Sequence, residues 1–273
     1  MKLIQNIDRR IIYLVVFLAL AVPMLKPVGL PFSINPESQN FYDKIDALNS
    51  GDIVFVLWNY SPSGQAQLDP QGRAVLKHLY SKEGVKIVNV SFWPSGPLFN
   101  EKFQKEMQGS HNKVYGEDYV NLGYIAGGET AISAFAKNIH EAFSNDRQGN
   151  NISDIPMMNN IKSASDASLM IQFGTGTPGV PEVVRQIVSV YGTEFVAGMN
   201  SVSVAGNIPY YNAGQVKGYL NGLRGAAEYE MMLNEPGKAT ASMDSLSFSH
   251  LTIIMFILIG NIAYFTNPDK KKR

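Results

Sequence analysis

The chain has 273 residues, 45% hydrophobic and 17% charged, with a formal net charge of zero, Gly 24, Pro 14 and no cysteine. A neutral chain with no basic stripe excludes nucleic acid as a natural partner, and the lack of cysteine excludes disulfides, thiolate metal sites and a cysteine nucleophile. With two apolar ends set aside, about 220 residues remain, enough for one large domain with a sizeable core.

Residues 1–10 form a basic head ending in Arg9 and Arg10. Ile11 to Leu25 (IIYLVVFLALAVPML) follows as an apolar run that reads as a transmembrane helix or signal anchor. The basic start and Ala19-Leu20-Ala21 also match a cleavable signal peptide, so both origins stay open. A fifteen-residue helix reaches only about 22 Å, so Arg10 and Lys26 would have to snorkel toward the membrane surfaces. Residues 26–40, with Pro27, Pro31 and Pro36, form an extended linker.

Residues 41–233 carry an α/β pattern. Asp52 to Trp58 (DIVFVLW) is a run of β-branched and aromatic residues fit for a strand buried on both faces. Val85 to Phe92, Tyr119 to Ile125, Ser168 to Phe173 and Glu194 to Met199 supply four more strands. Helices alternate with them: Gln71 to Ser81 behind an N-cap at Asp69, Leu98 to Gln108, Thr130 to Phe143, and Val180 to Tyr191 with Pro181 in its first turn. Five strands in this alternation predict a mostly parallel, Rossmann-like or flavodoxin-like three-layer sandwich.

Ala213 to Leu233 (AGQVKGYLNGLRGAAEYEMML) reads as one long helix. Gly214, Gly218 and Gly222 lie four apart and Gly225 follows, forming a ridge of small residues. Glycine within a helix costs up to about 1 kcal/mol relative to alanine, so the ridge implies close packing within the domain, a subunit interface or a ligand contact. Its charged residues exclude a transmembrane dimer motif.

Residues 234–248 link the domain to a second apolar segment, 249–266. It contains LTIIMFILIGNIAYF and is followed by the basic tail 267–273. The basic ends predict that both termini are cytoplasmic and that the central domain is extracytoplasmic, in a cell membrane. Asn261 interrupts the apolar segment and is a candidate for contact with another helix.

In a doubly wound sheet, ligands bind beyond the carboxyl ends of the strands. That rule selects Asn59, Tyr60 and Ser61 after the first strand, Ser95 after the second, and Gly127, Gly128 and Glu129 after the third. It adds Gly174, Thr175, Gly176 and Thr177 after the fourth and Asn200 after the fifth. The run Gly174 to Gly179 has the glycines and hydroxyls to cradle a phosphate or carboxylate. It matches neither the dinucleotide fingerprint nor the P-loop, and it equally suits a strand-to-helix turn. Glu129 at a helix start is favoured by the helix dipole without any ligand.

No catalytic motif, metal-ligand spacing or cofactor signature is present. The four histidines, His78, His111, His140 and His250, are dispersed. The sequence thus predicts a membrane-anchored accessory or structural subunit that assembles as a homo-oligomer or with other membrane proteins. A tethered binding protein for a small polar or anionic ligand is the alternative, followed by an extracytoplasmic hydrolase or transferase.

Overall fold

The computed structural model describes residues 8–107 and 112–266. The basic tail 267–273, most of the basic head and His111 lie outside them. The described chain forms two compact units, one of residues 33–235 and one combining the chain's two ends.

The larger unit is built on a single parallel sheet of β1 (Ile53–Asn59), β2 (Lys86–Ser91), β3 (Tyr119–Tyr124), β4 (Leu169–Gly174), β5 (Phe195–Met199) and β6 (Gly218–Asn221). Their order is β3-β2-β1-β4-β5-β6. This is the Rossmann-type order, with the reversal between β1 and β4, rather than the flavodoxin-type one. Side chains alternate along each strand, so the continuous apolar run of β1 fills two cores. Phe55 and Leu57 enter one, and Val54, Val56 and Trp58 enter the other.

The first core is closed by α5 (Glu129–Lys137), α6 (Ile139–Ala142), short 3₁₀ turns between 152 and 166, and α7 (Val180–Val183). The second is closed by α2 (Pro36–Asp46), α3 (Gln65–Ser81), α4 (Gly96–Met107) and α10 (Gly222–Met232). α7 runs on through a π-helical turn, Val184–Val188, into α8 (Ser189–Tyr191), and α9 (Ser201–Asn212) follows β5. α3 begins at Gln65, earlier than the Asp69 cap predicted. Asp69 lies inside the helix and accepts instead from Tyr60 (3.0 Å) and Lys102 (2.9 Å).

The sheet has six strands, not five, because the predicted helix Ala213–Leu233 does not exist as one element. Gly214 turns the chain after α9 at φ +71°. β6 follows, and Gly222 starts α10 at φ +52°. A Cβ on Gly218 would lie 2.7 Å from Phe41 Cα, and one on Gly225 would lie 2.8 Å from Leu220 Cα. These glycines therefore permit close approach inside the unit, but on a strand, a turn and a helix rather than along one ridge.

The second unit pairs α1 (Arg9–Leu25) with α11 (Lys238–Phe265). Among the described residues, α11 alone is long and apolar enough to cross a membrane. Its 28 residues reach about 42 Å against a hydrocarbon core of about 30 Å. α1 is apolar but has 17 residues with Pro23 inside it, a reach of about 25 Å. The predicted pair of flanking spans is thus one candidate span with a shorter apolar helix against it. Asp244 binds the unit together, accepting from the backbone N–H groups of Val28 (2.7 Å), Gly29 (2.8 Å) and Leu30 (2.9 Å). Ser245 Oγ donates to Leu20 O at 2.9 Å. Asn261 is exposed on α11.

Candidate functional site

The reversal between β1 and β4 opens the carboxyl end of the sheet, the position where such sheets take ligands. Beside it, the segment from Gly174 to Gly179 leads from β4 into α7. A cleft of about 260 Å³ lies between this segment, the end of β5 and the first turns of α9. Gln172 of β4, Gly176, Glu182, Gly198, Ser203 and Gly206 are among the residues lining it.

Gln172 is the polar interruption of an apolar strand that is buried throughout. It is 1% exposed. Its Nε2 reaches Pro178 O at 3.4 Å, a long bond, and its Oε1 has no hydrogen-bond partner within the protein. A buried acceptor left unpaired costs about 1–3 kcal/mol. The sheet therefore holds an unpaired acceptor on a residue that lines the cleft.

The glycines around the cleft are of two kinds. A Cβ on Gly174 would lie 2.8 Å from Gln172 Nε2, and one on Gly198 would strike Phe173 and Gln71, so packing demands glycine at both. A Cβ on Gly176 or Gly206 would meet nothing within 4 Å. No packing contact accounts for glycine at these two positions, and the absent side chains leave the cleft open.

Two of the N–H groups that made this region resemble an anion cradle are already occupied. Gly179 N–H donates to Glu182 Oε2 at 2.7 Å. Asn200 caps α9 by accepting from Ser203 N at 3.2 Å, and Ser203 Oγ donates to the same amide oxygen. Arg185 donates to Glu182 Oε1 at 2.9 Å and makes a two-pronged pair with Glu129, with both bonds at 2.9 Å. The hydrogen bonds from Arg185, then from Gln186, push the exposed Glu129 carboxyl down to about 2. Glu129 is thus held by a guanidinium, in addition to sitting at a helix start.

The structure separates the residues that the strand-end rule selected. Gly174, Gly176 and Thr177 line the cleft. Thr175 packs toward Gly64, where an added Cβ would lie 2.5 Å from its Cγ2. Asn59 is buried and accepts from Phe92 N at 2.9 Å. Tyr60 stacks on Phe99 at 4.5 Å and donates to Asp69. Burial, then the Asp69 carboxylate, raise its phenol far above the usual tyrosine value. Ser61 pairs with Ser63 at 2.7 Å, and Ser95 donates to Tyr60 O at 2.9 Å. Gly127 and Gly128 are turn residues at φ +126° and +56°.

Gln172, Glu182, Ser203 and Gly206 escaped the strand-end rule. Two carried a visible signal: Gln172 is the polar residue within SLMIQF, and Glu182 follows Gly179 at capping-box spacing. The π-helical turn right after Glu182 is a feature that gathers at functional sites.

No protein-family model matches the chain, and no curated protein matches it in sequence.

Proposed function

We propose that the protein is a membrane-tethered binding protein whose parallel-sheet domain holds a small polar ligand in the cleft at the ends of β4 and β5. The observation that carries this is the buried, unpartnered Gln172 Oε1 at a cleft kept open by Gly176 and Gly206. The tether rests on α11, and the basic residues that follow it in the sequence favour an extracytoplasmic domain. A thermal-shift screen of small polar metabolites on the detergent-solubilised full chain tests the proposal. A ligand at one hundred times its Kd stabilises the fold by about 2.7 kcal/mol, which raises Tm by roughly 5–10 °C for a chain of this size. Gly176→Leu fills open space and should abolish that shift; a shift that survives it places the ligand elsewhere. Cleavage of the domain by external protease in intact cells, with no protection, supports the sidedness; cleavage only after lysis refutes it.

A second reading, a subunit of a membrane assembly, is favoured by α9. Its sequence SVSVAGNIPYYN has no charge, and Val202 is 85% exposed. An apolar face of this kind suits contact with a second copy of the chain. Light scattering of the solubilised protein should exceed monomer mass and fall to it in Val202→Asp; a monomeric wild type removes this reading.

A further inference from the structure

The ligand chemistry can be narrowed beyond a small polar molecule, on the premise that the β4–β5 cleft is the binding site. We infer that the ligand is uncharged and presents hydroxyl or amide hydrogens to the cleft, and that anions are excluded from it.

The inference begins with the groups that an anion would need. A strand-to-helix turn binds phosphate or carboxylate through free N–H groups at the helix start. Here Gly179 N–H is bound to Glu182, and Ser203 N–H is bound to Asn200. The anion position at the first of these helix starts is filled by the protein's own carboxylate. No lysine or arginine is among the residues lining the cleft, whereas Glu182 is. The nearby Arg185 is shared between Glu182 and Glu129. An incoming anion would meet a carboxylate already supplied with its donors, and like charges at such range repel.

A cation gains little in its place. The Glu182 carboxylate accepts from Gly179 N–H on one oxygen and from Arg185 on the other, so its charge is already offset. What the cleft offers unspent is an acceptor, Gln172 Oε1, buried on the central part of the sheet. Ser203 Oγ has its hydrogen committed to Asn200 and keeps lone pairs for accepting. A hydroxyl or amide hydrogen completes such a site without bringing a charge out of water. The volume of about 260 Å³ lies just below the ordinary range for drug-sized ligands, which suits a molecule no larger than a single sugar ring.

Saturation-transfer NMR on the full chain, in a detergent without a sugar headgroup, tests this with named probes. The neutral set is myo-inositol, glucose and acetamide; the anionic set is acetate and methylphosphonate. The expected result is transfer to at least one neutral probe, lost in Gly176→Leu, with none to the anions that is sensitive to Gly176→Leu. Gln172→Met keeps the volume while removing the acceptor, and it should weaken the neutral probe roughly three- to tenfold without lowering Tm. Anion binding that Gly176→Leu abolishes would overturn the ligand class and leave the cleft as the site. Neutral binding indifferent to Gln172→Met would overturn the role of the buried acceptor. If no probe gives a signal sensitive to Gly176→Leu, both the class and the cleft reading fall.

Discussion

At the scale of single residues, glycine positions and one histidine make the most direct predictions. Gly206 sits inside α9 with no atom near enough to require it. Gly206→Ala should therefore stabilise the protein by up to about 1 kcal/mol through helix propensity, read as a rise in Tm, while narrowing the cleft. A loss of stability would show a packing demand at that position. His78 is buried in α3, with Nδ1 2.8 Å from Tyr229 Oη and Nε2 3.5 Å from Asp46. Burial first, then Lys82, lower its pKa below the ordinary 6.5. The unfolded chain then takes up this proton at higher pH than the folded one. Stability is full above about pH 6.5 and falls as pH drops from there through the lowered folded value. His78→Gln should flatten that part of a denaturation-versus-pH profile. Gln172 was legible in the sequence as a polar residue in an apolar strand. The commitment of Asn59, Tyr60 and Ser95 to neighbouring chain was not, because it depends on partners as many as 35 residues away.

At the scale of elements, the alternation of strands and helices was readable because β1, β2 and β4 are buried on both faces and so are apolar along most of their length. β6 was not. It has four residues, GYLN, and Gly214, Gly218 and Gly222, which lie before, in and after it, fall at a spacing of four that imitates one face of a helix. What separates the two readings is tertiary: Gly218 faces the backbone of α2 across a gap too small for a side chain. Gly218→Ala should cost about 1–3 kcal/mol, the range for overpacking a close contact, in chemical denaturation. Gly214→Ala should be strained by its positive φ rather than by crowding, since nothing lies within 4 Å of an added Cβ there. An equal, negligible effect at both positions would return this segment to an unpacked surface.

At the scale of the whole molecule, the two apolar ends were legible from hydropathy alone, and of the two only α11 has the length of a membrane span. Their shared stability was not legible, since it depends on Asp244 meeting three backbone N–H groups more than 200 residues earlier. Asp244→Ala removes the acceptors of all three bonds at once. Limited proteolysis should then cut between 26 and 32 far faster than in the wild type, with the parallel-sheet unit left intact; unchanged protection would mean that helix packing alone holds the unit. The same carboxylate orders events in time. Val28 lies 216 residues before it, and at roughly 5–20 residues per second a ribosome needs some tens of seconds to travel that distance. During that interval the strands of residues 33–235 are made one after another and can begin to pair, while α1 waits without the helix that will cover it. The chain ends therefore close last, and a stall in synthesis before Asp244 would leave α1 an apolar helix whose partner does not yet exist.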